Sequence, residues 1–372
     1  MNVVQGVSAQ SVASTASSKM AVADCDIHPQ YDSVKELYPF LEQRWMDYLE
    51  NYGPIFHQQF ISHPVVAKVY PRGLRPDAKP AEGRLPGSDI KFMAEQHLDP
   101  NNVKLGMLLP LPGEQGIRNS DFATAFCAAV NDWQFHNWTS KDDRLRAAIV
   151  VAVEDPIAAA KEIDRWAGNP HFVQVALPAR AGAPFGHKKF WPIYEATCRA
   201  GLRLCAHPNY SDSDLGFTSS GWPSFYIEEM SHYAQAYQAH LASMLTAGVF
   251  ERFPSLRMVL IEGGMGWLPS FGWRMDKLWP KLKSEVPGLT RLPSELIRER
   301  IWITSQPIEE PADASHLKDV FDWIGWDRVM FSSDYPHWDT DDPSYVLPFQ
   351  TTPQQRSDFF LNNALKFYGI EG

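Results

Sequence analysis

The chain is poor in the features that mark several common classes of protein. Cysteine is scarce: Cys25, Cys127, Cys198 and Cys205 stand far apart among 372 residues and form no C-x-x-C pair. That pattern excludes a disulfide framework and fits buried thiols in a reducing compartment, so a cytoplasmic protein is expected. Runs of Lys and Arg are missing, and the formal net charge is −10. Nucleic acid and anionic membrane surfaces both need clustered positive charge, so neither is an expected partner. No apolar run approaches the roughly 18 residues of a membrane span. No strand is followed by G-x-G-x-x-G. The nearest approach, Gly263-Gly264-Met265-Gly266, has the wrong spacing for a dinucleotide loop. Residues 1–19 are rich in Ser, Ala, Val and Gln but have neither a charged start nor a continuous apolar stretch, and they read as a disordered tail rather than a signal peptide.

What is present is ample apolar material, 44% of the residues, enough for a large core. It is arranged in alternating strands and helices. Apolar runs predict strands beginning near residues 20, 103, 145, 172, 202, 256, 301 and 328. Leu145 to Val153 is apolar except at Arg146, as for a strand buried on both faces. Helices are predicted between them, including Val34 to Tyr52, Ser120 to Trp138 and a long one from Phe225 to Phe250. Eight β/α units in this order predict an α/β fold, a (β/α)8 TIM barrel; an open doubly wound sheet is the second choice. Residues 53–100 form a long Pro- and Gly-rich insert after strand 1, of a size usually given to a lid or wall. With no internal repeat and no linker, residues 20–372 read as one barrel domain.

The polar residues gather at strand ends. Asp26 and His28 end strand 1, with Cys25 and Ile27 expected on the opposite face. His207 ends strand 5, Glu262 strand 6 and Asp334 strand 8. Taken alone, Asp26 and His28 read equally well as a turn cap and a surface imidazole. Repeated ionisable groups at the ends of buried strands are different, because each costs free energy to desolvate unless something binds it. A divalent cation resolves that cost and leaves a position for water or substrate. Several other residues have two readings each. His337 reaches substrate or only stabilises its loop. Trp222, Trp267 and Trp338 are aromatic substrate walls or core residues. His232 and His240 are expected to be packing residues, and His57, His63 and His97 lie in the insert.

Asp24-Cys25-Asp26-Ile27-His28-Pro29, Ala206-His207-Pro208, Glu262-Gly263-Gly264-Met265-Gly266-Trp267 and Phe331-Ser332-Ser333-Asp334-Tyr335-Pro336-His337 together resemble the metal-dependent amidohydrolase superfamily. The likeness is to its amidohydrolase-2 group, which holds the aminocarboxymuconate semialdehyde decarboxylase-like and resorcylate decarboxylase-like enzymes. The resemblance implies metal ligands at Asp26, His28, His207 and Asp334, with Asp334 also moving protons. It implies one divalent ion per chain, and two carboxylates among four ligands favour Mn or Zn. It also implies a homodimer. Where the group usually has His at the end of strand 6, this chain has Glu262, which reads as a general base, as an orienter of a ligand His, or as a buried Glu that only caps the glycine turn. The expected reaction is hydrolysis of an amide, ester or lactone in a small ring-containing substrate, by metal-activated water with Asp334 as proton shuttle. The missing strand 6 imidazole favours this, since the group's decarboxylases usually keep it. Non-oxidative decarboxylation on the same site is the alternative, and a non-catalytic metal-binding barrel is the alternative of another class.

Overall fold

A computed structural model describes residues 19–53, 73–80, 84–111, 117, 119–210 and 223–371. The predicted tail, apart from Lys19, lies outside the described residues, as do Trp222, His57 and His63.

Eight parallel strands follow one another around a barrel in chain order. They are β1 (Val22–Ile27), β2 (Val103–Leu108), β3 (Leu145–Val150), β4 (Phe172–Arg180), β5 (Arg203–Tyr210), β6 (Met258–Leu260), β7 (Ile301–Thr304) and β8 (Val329–Met330). The chain running on from β8 closes the ring against β1. Cys25 N–H donates to Phe331 O (3.0 Å), Asp334 N–H to Asp26 O (3.1 Å) and His28 N–H to Tyr335 O (2.8 Å). The TIM barrel read from the apolar runs is therefore the observed fold.

Every strand sends a side chain inward. Ala23, Cys25, Leu105, Met107, Ala148, Ala176, Cys205, Val259, Trp302 and Met330 form one buried cluster. Phe367 and Tyr368, from the helix Asn363–Tyr368, join it. They sit at the amino ends of the strands: Tyr368 Oη donates to Gln174 Oε1 (3.1 Å), and the Phe367 ring packs on Trp302 with centroids 4.8 Å apart. The carboxyl end is thus left as the open, functional mouth. The larger apolar cluster fills the layer between barrel and helices.

Three local expectations need correction. Cys25 packs inside the barrel while Ile27 packs in the outer layer, because β1 has a register irregularity between Asp24 and Ile27. An extra residue in one strand shifts the alternation of faces. The helix expected from Val34 to Tyr52 is a 3-10 helix, Val34–Phe40, and then an α-helix, Gln43–Tyr52. Pro39, inside the first piece, has no N–H to continue the α ladder. The long helix ends at Thr246, and Gly248 (φ 67°) turns the chain before a short helix, Val249–Arg252.

Candidate metal centre

The register that closes the barrel carries Asp26, His28, His207, Glu262 and Asp334 to its carboxyl mouth, all buried. His28 is oriented from behind: its Nδ1 donates to Leu109 O, just past β2, at 2.7 Å. That bond leaves the Nε2 lone pair facing the centre. His28 Nε2 lies 3.2 Å from Asp26 Oδ1 and 2.8 Å from Asp334 Oδ1. His207 Nε2 lies 3.2 Å from Glu262 Oε2 and 3.7 Å from Asp26 Oδ2. The His28 ring stands 5.0 Å from that of His207 and 4.6 Å from that of His337.

Donor atoms converge here in two overlapping sets. Asp26, His28, His207 and Glu262 form one, and His28, Glu262, Asp334 and His337 the other; within each, ligand atoms lie within 4.8 Å of one another. Both Asp26 carboxylate oxygens and His28 Nε2 are buried without a hydrogen-bond partner. Orphaned lone pairs of this kind are costly, and a divalent cation between them resolves the cost. The residues fit such an ion. Of the four expected ligands, Asp26, His28 and His207 fall in the first set and Asp334 in the second, with His28 and Glu262 common to both.

Glu262 and Asp334 share a backbone feature invisible in the sequence. Both adopt left-handed φ, 57° and 63°, where side chains other than Gly are strained. Glu309 holds the turn after Glu262, accepting from Met265 N–H (2.9 Å) and Gly266 N–H (2.8 Å).

The electrostatics follow from crowding acids out of water. Burial pushes the Asp334 carboxyl up to about 7, with Asp339 and Asp26 adding to it against the opposing pull of His28. Burial, then Asp334, raises Glu262 although His207 opposes. For Asp26, burial would raise the pKa, but His28 and His207 outweigh it and hold the group below its ordinary range. His337, hydrogen-bonded through Nδ1 to Asp334 Oδ1, is lowered to about 4 by burial and by His28.

Of the aromatic candidates, Trp267 donates from Nε1 to Gly263 O (2.9 Å) and packs edge-on to Phe271, so it braces the glycine turn. Trp338 is 40% exposed beyond His337, its N–H donating to Gly73 O (2.8 Å) in the insert. His240 is a core residue, as expected, stacked on Phe185 at 3.7 Å. Asp24 and His97, which sequence reasoning left out of the site, meet behind it at 2.7 Å. Their only signals were an acid inside an apolar strand and a histidine in a long insert.

Comparison with known proteins adds the chemistry. A gamma-resorcylate decarboxylase of a Polaromonas species is 24% identical over 277 residues, 71% of this chain and 82% of the relative. An amidohydrolase of Mycobacterium avium subsp. paratuberculosis shares the fold, with a TM-score of 0.71 and 20% identity over 94% of this chain and 99% of the other. A dihydroxybenzoic acid decarboxylase of Polaromonas, solved with manganese and 2-nitroresorcinol, has a TM-score of 0.64 and 18% identity over 94% of this chain and 97% of the other. The expectation of hydrolysis is corrected by these decarboxylase relatives. Its premise was a lost imidazole on strand 6, yet the site is not short of imidazole, since His337 enters it from the β8 loop. The amidohydrolase family model, described as Amidohydrolase, matches residues 23–370. With that match across nearly its whole length and the four strand-end motifs at one barrel mouth, the chain belongs to the metal-dependent amidohydrolase superfamily, in the amidohydrolase-2 group.

Proposed function

We propose that this protein is a metal-dependent, non-oxidative decarboxylase of a small hydroxy-substituted aromatic acid. One observation carries the reading: a buried cluster of carboxylates and imidazoles, Asp334 among them, gathers at the barrel mouth of a chain whose curated relatives are decarboxylases. Asp26, His28, His207 and Asp334, with Glu262 beside them, would hold one divalent ion, and manganese in the structural neighbours supports Mn as that ion. When bound, the ion supplies positive charge that anchors an anionic substrate and offsets negative charge developing on it.

Asp334 then delivers a proton to the ring carbon that bears the carboxylate. The carbon–carbon bond breaks, its electron pair returns to the ring, and carbon dioxide leaves. His337, bonded to Asp334 and with its side chain 17% exposed, is placed to return a proton from solvent to that carboxylate. Glu262 holds His207 at 3.2 Å. Trp338 at the rim is a suitable apolar wall for a ring. Four free cysteines support the cytoplasm as the working compartment.

The test is to load the purified chain with Mn2+ and supply 2,6-dihydroxybenzoate and related hydroxybenzoates in D2O. Carbon dioxide should be released, with deuterium at the carbon that lost the carboxylate, and Asp334→Asn should abolish both. Hydrolysis of aryl esters or lactones by the loaded protein, with no carbon dioxide from any hydroxybenzoate, would overturn the reading.

A further inference from the structure

Behind the ligand cluster lies a second knot of buried polar groups. Asp24, on β1, is fully buried. Its carboxylate accepts from Ser333 N–H (2.8 Å), Ser333 Oγ–H (2.5 Å), His97 Nε2–H (2.7 Å) and Asp26 N–H (3.3 Å). Ser333 Oγ in turn accepts from Tyr335 N–H at 3.0 Å. His97 Nδ1 accepts from Asn101 Nδ2 at 3.2 Å, which leaves the ring proton on Nε2, toward Asp24. The His97 ring lies stacked on Tyr335, centroids 4.6 Å apart, and Tyr335 Oη donates to Gln96 Oε1 at 2.8 Å. His97 itself stands on a π-helical turn, Ala94–Leu98, at the end of the long insert.

The bonds surround one residue without touching its side chain. Ser333 and Tyr335 flank Asp334, and both are clamped through Asp24, directly or by way of the Ser333 hydroxyl. Asp334 is the residue with left-handed φ at 63°. A non-glycine residue stays in that region only when its surroundings over-determine it. We infer that Asp24 and His97 are positioning residues for Asp334: they lock the Ser333-Asp334-Tyr335 turn from the side away from the ligand cluster and so make turnover depend on the Ala94–Leu98 turn that carries His97. This rests on the proton-donor role of Asp334 proposed above. The donors satisfy a carboxylate that reaches no ligand atom of the metal centre, and they join β1, the β8 loop and the insert at a single point.

The test compares His97→Leu with His97→Gln, whose amide can still donate to Asp24, in Mn2+-loaded protein. His97→Leu should bind Mn2+ at wild-type stoichiometry and alter its electron paramagnetic resonance line shape. It should also lower kcat by roughly 10–100-fold, the usual effect of losing an outer partner of a metal site. KM should stay within about twofold, because loss of an interaction that acts only in the transition state lowers kcat and kcat/KM together. His97→Gln should recover most of kcat and the wild-type line shape. A wild-type line shape and kcat in His97→Leu would overturn the inference, as would equal losses of kcat, metal and Tm in both variants. If His97→Leu fails to fold, Ser333→Ala removes the hydroxyl that donates to Asp24 and accepts from Tyr335 N–H and should lower kcat in the same way; an unchanged kcat there would also overturn it. Should wild type release no carbon dioxide while the line shape still follows the His97 series, the decarboxylase reading fails and the positioning role stands.

Discussion

At the scale of single residues, the site exchanges stability for placement. Glu262 has left-handed backbone and is raised by burial and by Asp334. Replacing it by glycine removes both burdens. Glu262→Gly should stabilise the metal-free protein by about 1–2 kcal/mol, the usual cost of a non-glycine residue there, seen as a higher urea midpoint. A lower midpoint would mean that its contact with His207 outweighs the strain. His240 makes a different prediction. Its Nε2 donates to Ala179 O at 2.6 Å, and burial lowers its pKa from 6.5 to about 4. The folded chain therefore keeps it neutral while the unfolded chain protonates it first. The stability it contributes is complete above pH 6.5 and is lost as pH falls from 6.5 toward 4. In that window the unfolding free energy of wild type should decline more steeply than that of His240→Gln, by about one proton per chain. Parallel slopes would remove His240 from the account.

At the scale of elements, what could be read in advance was what repeats locally. β3 and β4 announce themselves because buried strands are mostly apolar, and the strand-end acids and imidazoles stand out against that background. The irregularity in β1 could not be read, because a bulge inserts a residue without changing composition. Nor could the Asp24–His97 contact, which joins residues 73 positions apart. The helix break at Gly248 was hidden by the apolar stripe running across it. That glycine has φ 67°, and a Cβ there would lie 2.9 Å from Gly288 O. Gly248→Ala should cost about 2 kcal/mol or more, from left-handed strain and overpacking together. Differential scanning calorimetry would show this as a lower Tm, and a neutral result would mean the two helices can join into one.

For the whole molecule, the metal centre couples folding to pH. Asp26, Glu262 and Asp334 crowd one buried space, and only a cation or protons relieve them. Mn2+ at a hundred times its Kd should stabilise the chain by about 2.7 kcal/mol, and a chelator should reverse this. Ligand carboxylates must be deprotonated to bind. Asp334 is pushed up to about 7 in the metal-free chain, so the ion must displace that proton, the one delivered in turnover being returned through His337, and apparent Mn2+ affinity should weaken by roughly tenfold for each pH unit below that value. Titration calorimetry at pH 8, 7 and 6 would measure it, and a flat profile would place Asp334 outside the ligand set. No described helix is long and apolar enough to cross a membrane.

The closure of β1 against the β8 loop also bears on synthesis. Asp24 and Ser333 are 309 positions apart, and the aromatic floor of the barrel comes from Phe367 and Tyr368, farther along the chain still. A growing chain therefore carries Asp26 and His28 long before Asp334 and His337 are translated. Barrel closure must wait until the loop after β8 has been made, so β1 stays without its second neighbour through most of synthesis.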